Sequence, residues 1–284
     1  MFTVLKLIRF EQWTKNLLIF LVPVLANKTE FSIFYDLIIV FVGFSLLAST
    51  GYIINDFLDL ESDKAHYLKK NRVLASGKIS FKESKLIVLI SFVLGSIILL
   101  TQNIWILLLS YIYLLVSILY SKYLKYIKFF DVTIISTFFV LRTFLGSLGS
   151  GISISIYLLV MILFSSLVIV FGKKLSIFLD DNIVDSRVKK AIQRNYSLKF
   201  LSTALQISIG LSLITFNLWI FRDSNILSYS FVFSNILLLI FCVEFYNLTI
   251  KSKTEDFIAA LKINKLLSMS FIFFIFFTMF GILI

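Results

Sequence analysis

The chain alternates long apolar runs with short charged ones. A membrane-crossing helix needs about 20 mostly apolar residues. Such runs stand near 16–29, 32–54, 85–101, 104–121, 129–148, 154–172, 198–221, 226–248 and 265–284, the first and third of them short. The pattern predicts an all-α membrane protein of about nine transmembrane helices, with eight and ten as neighbouring counts. No soluble domain, linker or low-complexity tract interrupts it, so residues 1–284 read as a single transmembrane domain. The first run follows basic residues and ends near Ala26, as a cleaved leader does. Its cleavage pattern is poor, however, and the polar stretch Gln12-Trp13-Thr14-Lys15-Asn16 predicts a retained helix.

Composition removes the soluble alternatives. The 284 residues are 59% apolar and 15% charged, against about 25% charged in soluble domains. A soluble fold of this length cannot cover so much apolar surface, so lipid must act as part of the solvent. One cysteine, Cys242, lies inside an apolar run and excludes disulfide scaffolds and zinc ribbons. A net charge of +11 would suit a nucleic acid, but its placement argues otherwise. Of the 27 basic residues, 24 fall in segments 1–15, 64–85, 122–128, 173–199 and 251–265; Lys28, Arg142 and Arg222 remain. That asymmetry predicts a cytoplasmic amino terminus, cytoplasmic large loops and an outer carboxyl terminus, in the cell's inner membrane and without a nucleic-acid partner.

The second run ends in Asn55-Asp56-Phe57-Leu58-Asp59-Leu60-Glu61-Ser62-Asp63. At 100° per residue, Asp56, Asp59 and Asp63 share one helix face, with Asn55 at its edge and Glu61 pointing away. Three carboxylates within two turns repel one another unless a cation sits among them. Hard oxygens in this number suit Mg²⁺, which binds through a few carboxylates plus substrate phosphate oxygens. A solvated acidic helix end is the plainer alternative, and it fits poorly with acids that continue directly from an apolar helix. Lys69, Lys70 and Arg72 follow closely, and a cationic cluster beside a metal–carboxylate site is what a diphosphate requires.

Asn55-Asp56-x-x-Asp59-x-x-x-Asp63, followed by Lys69-x-x-Arg72-Val73-Leu74-Ala75-Ser76-Gly77, resembles the signature of the UbiA superfamily of intramembrane prenyltransferases. The resemblance implies nine helices around a central cavity, with Mg²⁺-bound diphosphate near the cytoplasmic face. Val73 stands where the family usually has proline. Glu11-Gln12-Trp13-Thr14-Lys15-Asn16-Leu17-Leu18 is similar to the opening of the decaprenyl-phosphate phosphoribosyltransferase branch. Tyr120-Ser121 with Lys125 and Asp131, Leu141-Arg142 with Gly146, Gly151 to Ser155, Gly172-Lys173-Lys174, Arg194-Asn195-Tyr196 and Glu255-Asp256 extend that similarity in order. Lys174 replaces the branch's usual arginine, and Ser176-Ile177 stand where it has glutamate. The branch moves the 5-phosphoribosyl group of phosphoribosyl diphosphate to a polyprenyl phosphate such as decaprenyl phosphate. On that reading Tyr120 is a substrate-binding residue.

A polyprenyl phosphate acceptor adds a second anion and needs further cations, for which Lys15, Arg142, Lys173 and Lys174 are available. Arg142 lies eleven residues after Asp131, roughly 16 Å further along the helix. Burying it costs a few kcal/mol, so it should face a partner or a polar cavity; an ion pair with Glu244 is the structural alternative. Asp181 and Asp185 look like the second aspartate motif of prenyl-diphosphate members, which favours a prenyl donor and an aromatic or polar acceptor, or they are solvated loop acids. His66 is the lone histidine and reads as a bystander. A transporter would show inverted repeats with Gly- or Pro-broken helices, and neither is present.

Overall fold

The computed structural model describes residues 2–64, 69–180, 187–223 and 228–283, and every element among them is helical. Helices α1 (Phe2–Leu7), α2 (Leu21–Leu25), α3 (Phe31–Leu58), α4 (Leu60–Lys64), α5 (Phe81–Leu100), α6 (Ile104–Lys122) and α7 (Phe130–Ser150) form the first part of the chain. They are followed by α8 (Ile156–Leu179), α9 (Arg187–Asn195), α10 (Leu198–Asp223), α11 (Ser228–Ile250), α12 (Phe257–Ile263) and α13 (Lys265–Leu283). Among the described residues, α3, α5, α6, α7, α8, α10, α11 and α13 are long and apolar enough to cross a membrane. The chain is a multi-pass α-helical membrane protein.

The remaining run, 16–29, takes another form. Residues Phe10–Phe20 make a 3-10 helix that leads into the short α2. At about 2 Å per residue, a 3-10 segment of this length covers more distance than an α-helix would. Its register explains the geometry. Three residues of 3-10 helix climb about 6 Å, as do four of α-helix. Trp13 Nε1 donates to Ser49 Oγ at 3.0 Å and Asn16 Nδ2 to Ser45 Oγ at 2.8 Å, three residues apart on one side and four on the other. The same step recurs on α7, where Asn16 meets Arg142 and Ile19 meets Gly146. A Cβ at Gly146 would stand 2.0 Å from the Ile19 carbonyl oxygen, so only glycine admits this backbone.

The contacts group the chain into two compact units. One contains residues 1–24, 28–125 and 141–153; the other contains 25–27, 126–140 and 154–284. In the first, α3 packs against α5, α6 and the 3-10 segment. Its α5 is inverted relative to a soluble helix. Ser84, Ser91, Gly95 and Leu99 are buried, while Leu86, Leu89, Ile90, Val93, Ile97 and Leu100 are exposed. Without a hydrophobic drive between helices in lipid, small residues allow close approach and apolar ones face outward. Ser80 starts α5 with a reciprocal cap: its Oγ accepts from Glu83 N, and its own N–H donates to Glu83 Oε2. In the second unit α8 packs against α10, and α11 against α13. Its apolar core includes Phe171, Leu175, Leu201, Leu205, Phe245 and Leu267.

Candidate functional site

The carboxylates of the first unit sit where α3 ends. Asp59 leaves helical geometry (φ −94°, ψ 3°), so the continuous face expected over 56–63 bends there. Hydrogen bonding still carries across: Asp59 N donates to Asn55 O at 2.9 Å and Asp63 N to Asp59 O at 2.8 Å. Asn55 is half-buried beside Asp56. Asp56 and Asp63 are buried, at 5% and 2% exposure, and buried carboxylates demand partners. Arg9 pairs with Asp56. Arg72 Nη1 reaches Asp56 Oδ1 at 3.4 Å and Asp63 Oδ2 at 2.6 Å. Lys125 Nζ lies 3.1 and 3.3 Å from the two oxygens of Asp59. Arg72 was expected here. Arg9 and Lys125 were read only as loop charge or family similarity, and pairing across 47 and 66 residues left no local signal.

Does this arrangement suit a divalent metal? Two buried carboxylates converge on one cationic nitrogen, so a cation at that position is within reach of both. Mg²⁺ commonly takes one or two carboxylates and completes its shell with phosphate oxygens and water. The donor set is therefore suitable. Asp59 is turned toward Lys125 instead, and among the described residues no three acids gather around a single point. The pair fits the ion; a three-carboxylate chelate would need Asp59 to move.

A polar chain leads from this site along α3. The Arg9 guanidinium lies 5.4 Å from the Tyr52 ring centroid. The Tyr52 hydroxyl shares a hydrogen bond with Tyr113 and lies in the field of Arg142, Lys15 and Arg9. Arg142 is 3% exposed and donates Nε to Asn16 Oδ1 at 2.8 Å and Nη2 to the Tyr113 hydroxyl at 3.0 Å. Its guanidinium also stacks 5.2 Å from the Tyr113 centroid. Glu244, the alternative partner, accepts from Asn264 Nδ2 at 2.8 Å. Lys15 is exposed on the 3-10 segment, and Tyr120 is half-buried near the end of α6. Lys69 opens a short turn, Lys69–Asn71, and its side chain lies outside the described residues.

In the second unit the lysine pair diverges, as adjacent residues on a helix must. Lys174 pairs with Asp131, whose other oxygen accepts from the Tyr196 hydroxyl at 2.6 Å. That hydroxyl in turn accepts the Phe129 N–H at 2.8 Å. Lys174, expected at a lipid phosphate, is thus held by a buried carboxylate, while Lys173 is exposed beside a cavity. Asp181, Asp185 and His66 lie outside the described residues.

Comparison with known proteins identifies the family and the fold. A model of the UbiA prenyltransferase family matches residues 16–269. Over 229 residues the chain is 28% identical to decaprenyl-phosphate phosphoribosyltransferase of Mycolicibacterium smegmatis, covering 77% of this chain and 70% of that one. It is also 36% identical over 155 residues to an uncharacterised protein of Sinorhizobium fredii, y4nM, spanning 53% of this chain and only 30% of that longer protein. A UbiA homologue from Archaeoglobus fulgidus, solved with DMAPP and Mg²⁺, has the same fold at a TM-score of 0.62 and 17% identity, covering 99% of both chains.

Proposed function

The chain belongs to the UbiA prenyltransferase family, and on that premise we propose that it transfers the 5-phosphoribosyl group of phosphoribosyl diphosphate to a polyprenyl phosphate, releasing diphosphate. It is a membrane-embedded transferase. The observation that carries the donor and acceptor is the similarity, across three quarters of the chain, to an enzyme named for that reaction. The buried Arg142 supports it from the side of the chemistry, because an aromatic acceptor needs no second cationic site.

Asp56 and Asp63 would hold Mg²⁺, with Asn55 beside them and Asp59 joining once it turns from Lys125; the ion would neutralise charge on the diphosphate and make it a better leaving group. Arg72, already set between Asp56 and Asp63, and Lys69 offset the charge that remains. The bond from the anomeric carbon to the diphosphate oxygen breaks and its electron pair leaves with diphosphate. The carbon develops oxocarbenium character, which the nearby carboxylates stabilise by preorganised electrostatics. A phosphate oxygen of the acceptor, ionised at neutral pH, forms the new bond, so no general base is needed. Lys15 and Arg142 position that phosphate, and Asn16 and Tyr113 hold Arg142 in place. The polyprenyl tail lies along the apolar helices.

The loop charges favour a cytoplasmic site in the inner membrane, within one domain of residues 1–284. A prenyl diphosphate donor with an aromatic acceptor is the alternative, and an essential role for Asp181 and Asp185 would favour it. Release of diphosphate from phosphoribosyl diphosphate is the test. It should require both Mg²⁺ and polyprenyl phosphate, and release independent of the lipid would reject the reading.

A further inference from the structure

Ser49, Tyr52 and Asp56 stand at i, i+3 and i+7 on α3 and therefore share one helix face. Residues 7–13 lie along that face. Leu7, 1% exposed, packs with Ile53, Val73 and Leu74. The buried Ser49 hydroxyl accepts the Trp13 indole N–H at 3.0 Å and shares its proton between the Ile8 and Ser45 carbonyls, each at 2.8 Å. Arg9 lies between these two anchors, Ile8 and Trp13. Its backbone is left-handed (φ 51°, ψ 51°), a conformation that a residue with a Cβ disfavours. The corner is closed by the Arg9 N–H on Lys6 O at 3.2 Å and the Gln12 N–H on Arg9 O at 2.8 Å. From it the guanidinium reaches past the Tyr52 ring, 5.4 Å from the centroid, and ends on Asp56 Oδ1.

This contact changes what a metal meets at the carboxylates. Asp56, Asp59 and Asp63 are offset by Arg9, Arg72 and Lys125. A bare dication therefore gains little from the local field and must displace a cation to bind. Among the described residues Arg72 spans both acids of the metal pair, whereas Arg9 meets Asp56 alone. Arg72 already lies 3.4 Å from the same Asp56 oxygen, so burial of that acid does not by itself call for Arg9. Yet the backbone around Arg9 is held in a disfavoured corner that delivers it there. The Arg9 and Asp56 side chains are 25% and 6% exposed, so water screens the pair only in part.

We propose that Arg9 is a positioning residue that keeps the bare ion off Asp56. Ser49 and Trp13 hold the corner, and the corner holds the guanidinium. The guanidinium yields when an anion arriving with the ion offers it another partner. Bare Mg²⁺ then binds weakly, and Mg²⁺ with diphosphate binds strongly. The inference rests on the metal role proposed above for Asp56 and Asp63, and not on which group the diphosphate carries.

The test measures binding of radioactive Mn²⁺, a hard ion that takes the same oxygen ligands, by equilibrium dialysis of purified full-length protein in detergent. Melting curves confirm that each variant is folded. Arg9→Gln should bind the ion roughly tenfold more tightly than wild type, and Ser49→Ala about threefold more tightly. Arg9→Lys keeps the charge and should stay near wild type. In the Arg9→Gln protein, Ser49→Ala should add nothing, because it acts through Arg9. Inorganic diphosphate should tighten binding more in wild type than in Arg9→Gln. A purely structural contact would give no gain in affinity on removal. Unchanged or weaker binding in Arg9→Gln, an additive effect of Ser49→Ala, or an equal response to diphosphate would overturn the proposal. Asp63→Asn should abolish binding in every background. If it does so while Arg9→Gln changes nothing, the metal site stands and the inference about Arg9 fails; binding that survives Asp63→Asn rejects the metal site itself. Phosphoribosyl diphosphate plays no part in the readout, so rejection of that donor leaves the result intact.

Discussion

Asp56 and Asp63 accept hydrogen bonds from one nitrogen of Arg72, at 3.4 and 2.6 Å. A single cation therefore holds two buried acids together, at the position proposed above for the metal. Arg72→Ala should leave Asp63 short of charge, with Asp56 still held by Arg9, and cost about 2 kcal/mol, below the figure for a fully buried pair because Arg72 is 30% exposed. Mg²⁺ should then restore the melting temperature more in the variant than in wild type. Melting curves with and without Mg²⁺ check this; equal responses would show that the acids do not bind the ion.

Asp59 separates chemistry from stability. Its side chain and that of Lys125 are 26% and 21% exposed, so their pairing is worth only about 1 kcal/mol. Asp59→Asn should reduce turnover on the order of 100-fold or more while shifting the melting temperature little. Parallel assays of turnover and unfolding distinguish this from a variant that simply fails to fold.

Arg142 uses the fork of its guanidinium, one nitrogen on Asn16 and another on Tyr113. An ammonium cannot reproduce that geometry. Arg142→Lys should raise the KM for the polyprenyl phosphate roughly tenfold, with the KM for phosphoribosyl diphosphate unchanged. A change confined to the donor would place Arg142 elsewhere in the reaction.

The helical packing offers a structural control. Gly146→Ala forces a Cβ onto the Ile19 carbonyl and should cost about 1–3 kcal/mol, whereas Gly210→Ala meets nothing within 4 Å and should be neutral or slightly stabilising. Thermal unfolding of the two variants side by side measures the difference.

These contacts also show what the sequence could and could not reveal. The eight long spans were legible because apolar length is a local property, and so were Asp56, Asp59 and Asp63, which share a helix end. Arg9 and Lys125 were not, since the positive-inside pattern already accounts for any basic loop residue and nothing local names its partner. The 3-10 segment was hidden for a different reason. Its three-residue period, Trp13, Asn16 and Ile19, acquires meaning only against the four-residue steps of α3 and α7. Lys173 and Lys174 looked like one cationic patch; the helix sends one to a cavity and the other to Asp131.

The most direct measurement gives purified protein, with Mg²⁺, ribose-labelled phosphoribosyl diphosphate plus polyprenyl phosphate, and in parallel labelled prenyl diphosphate plus aromatic acceptors. The account predicts a labelled phosphoribosyl lipid from the first mixture, absent with Asp59→Asn, and no product from the second. Product from the prenyl donor alone would contradict it and make Asp181 and Asp185 the residues to change next.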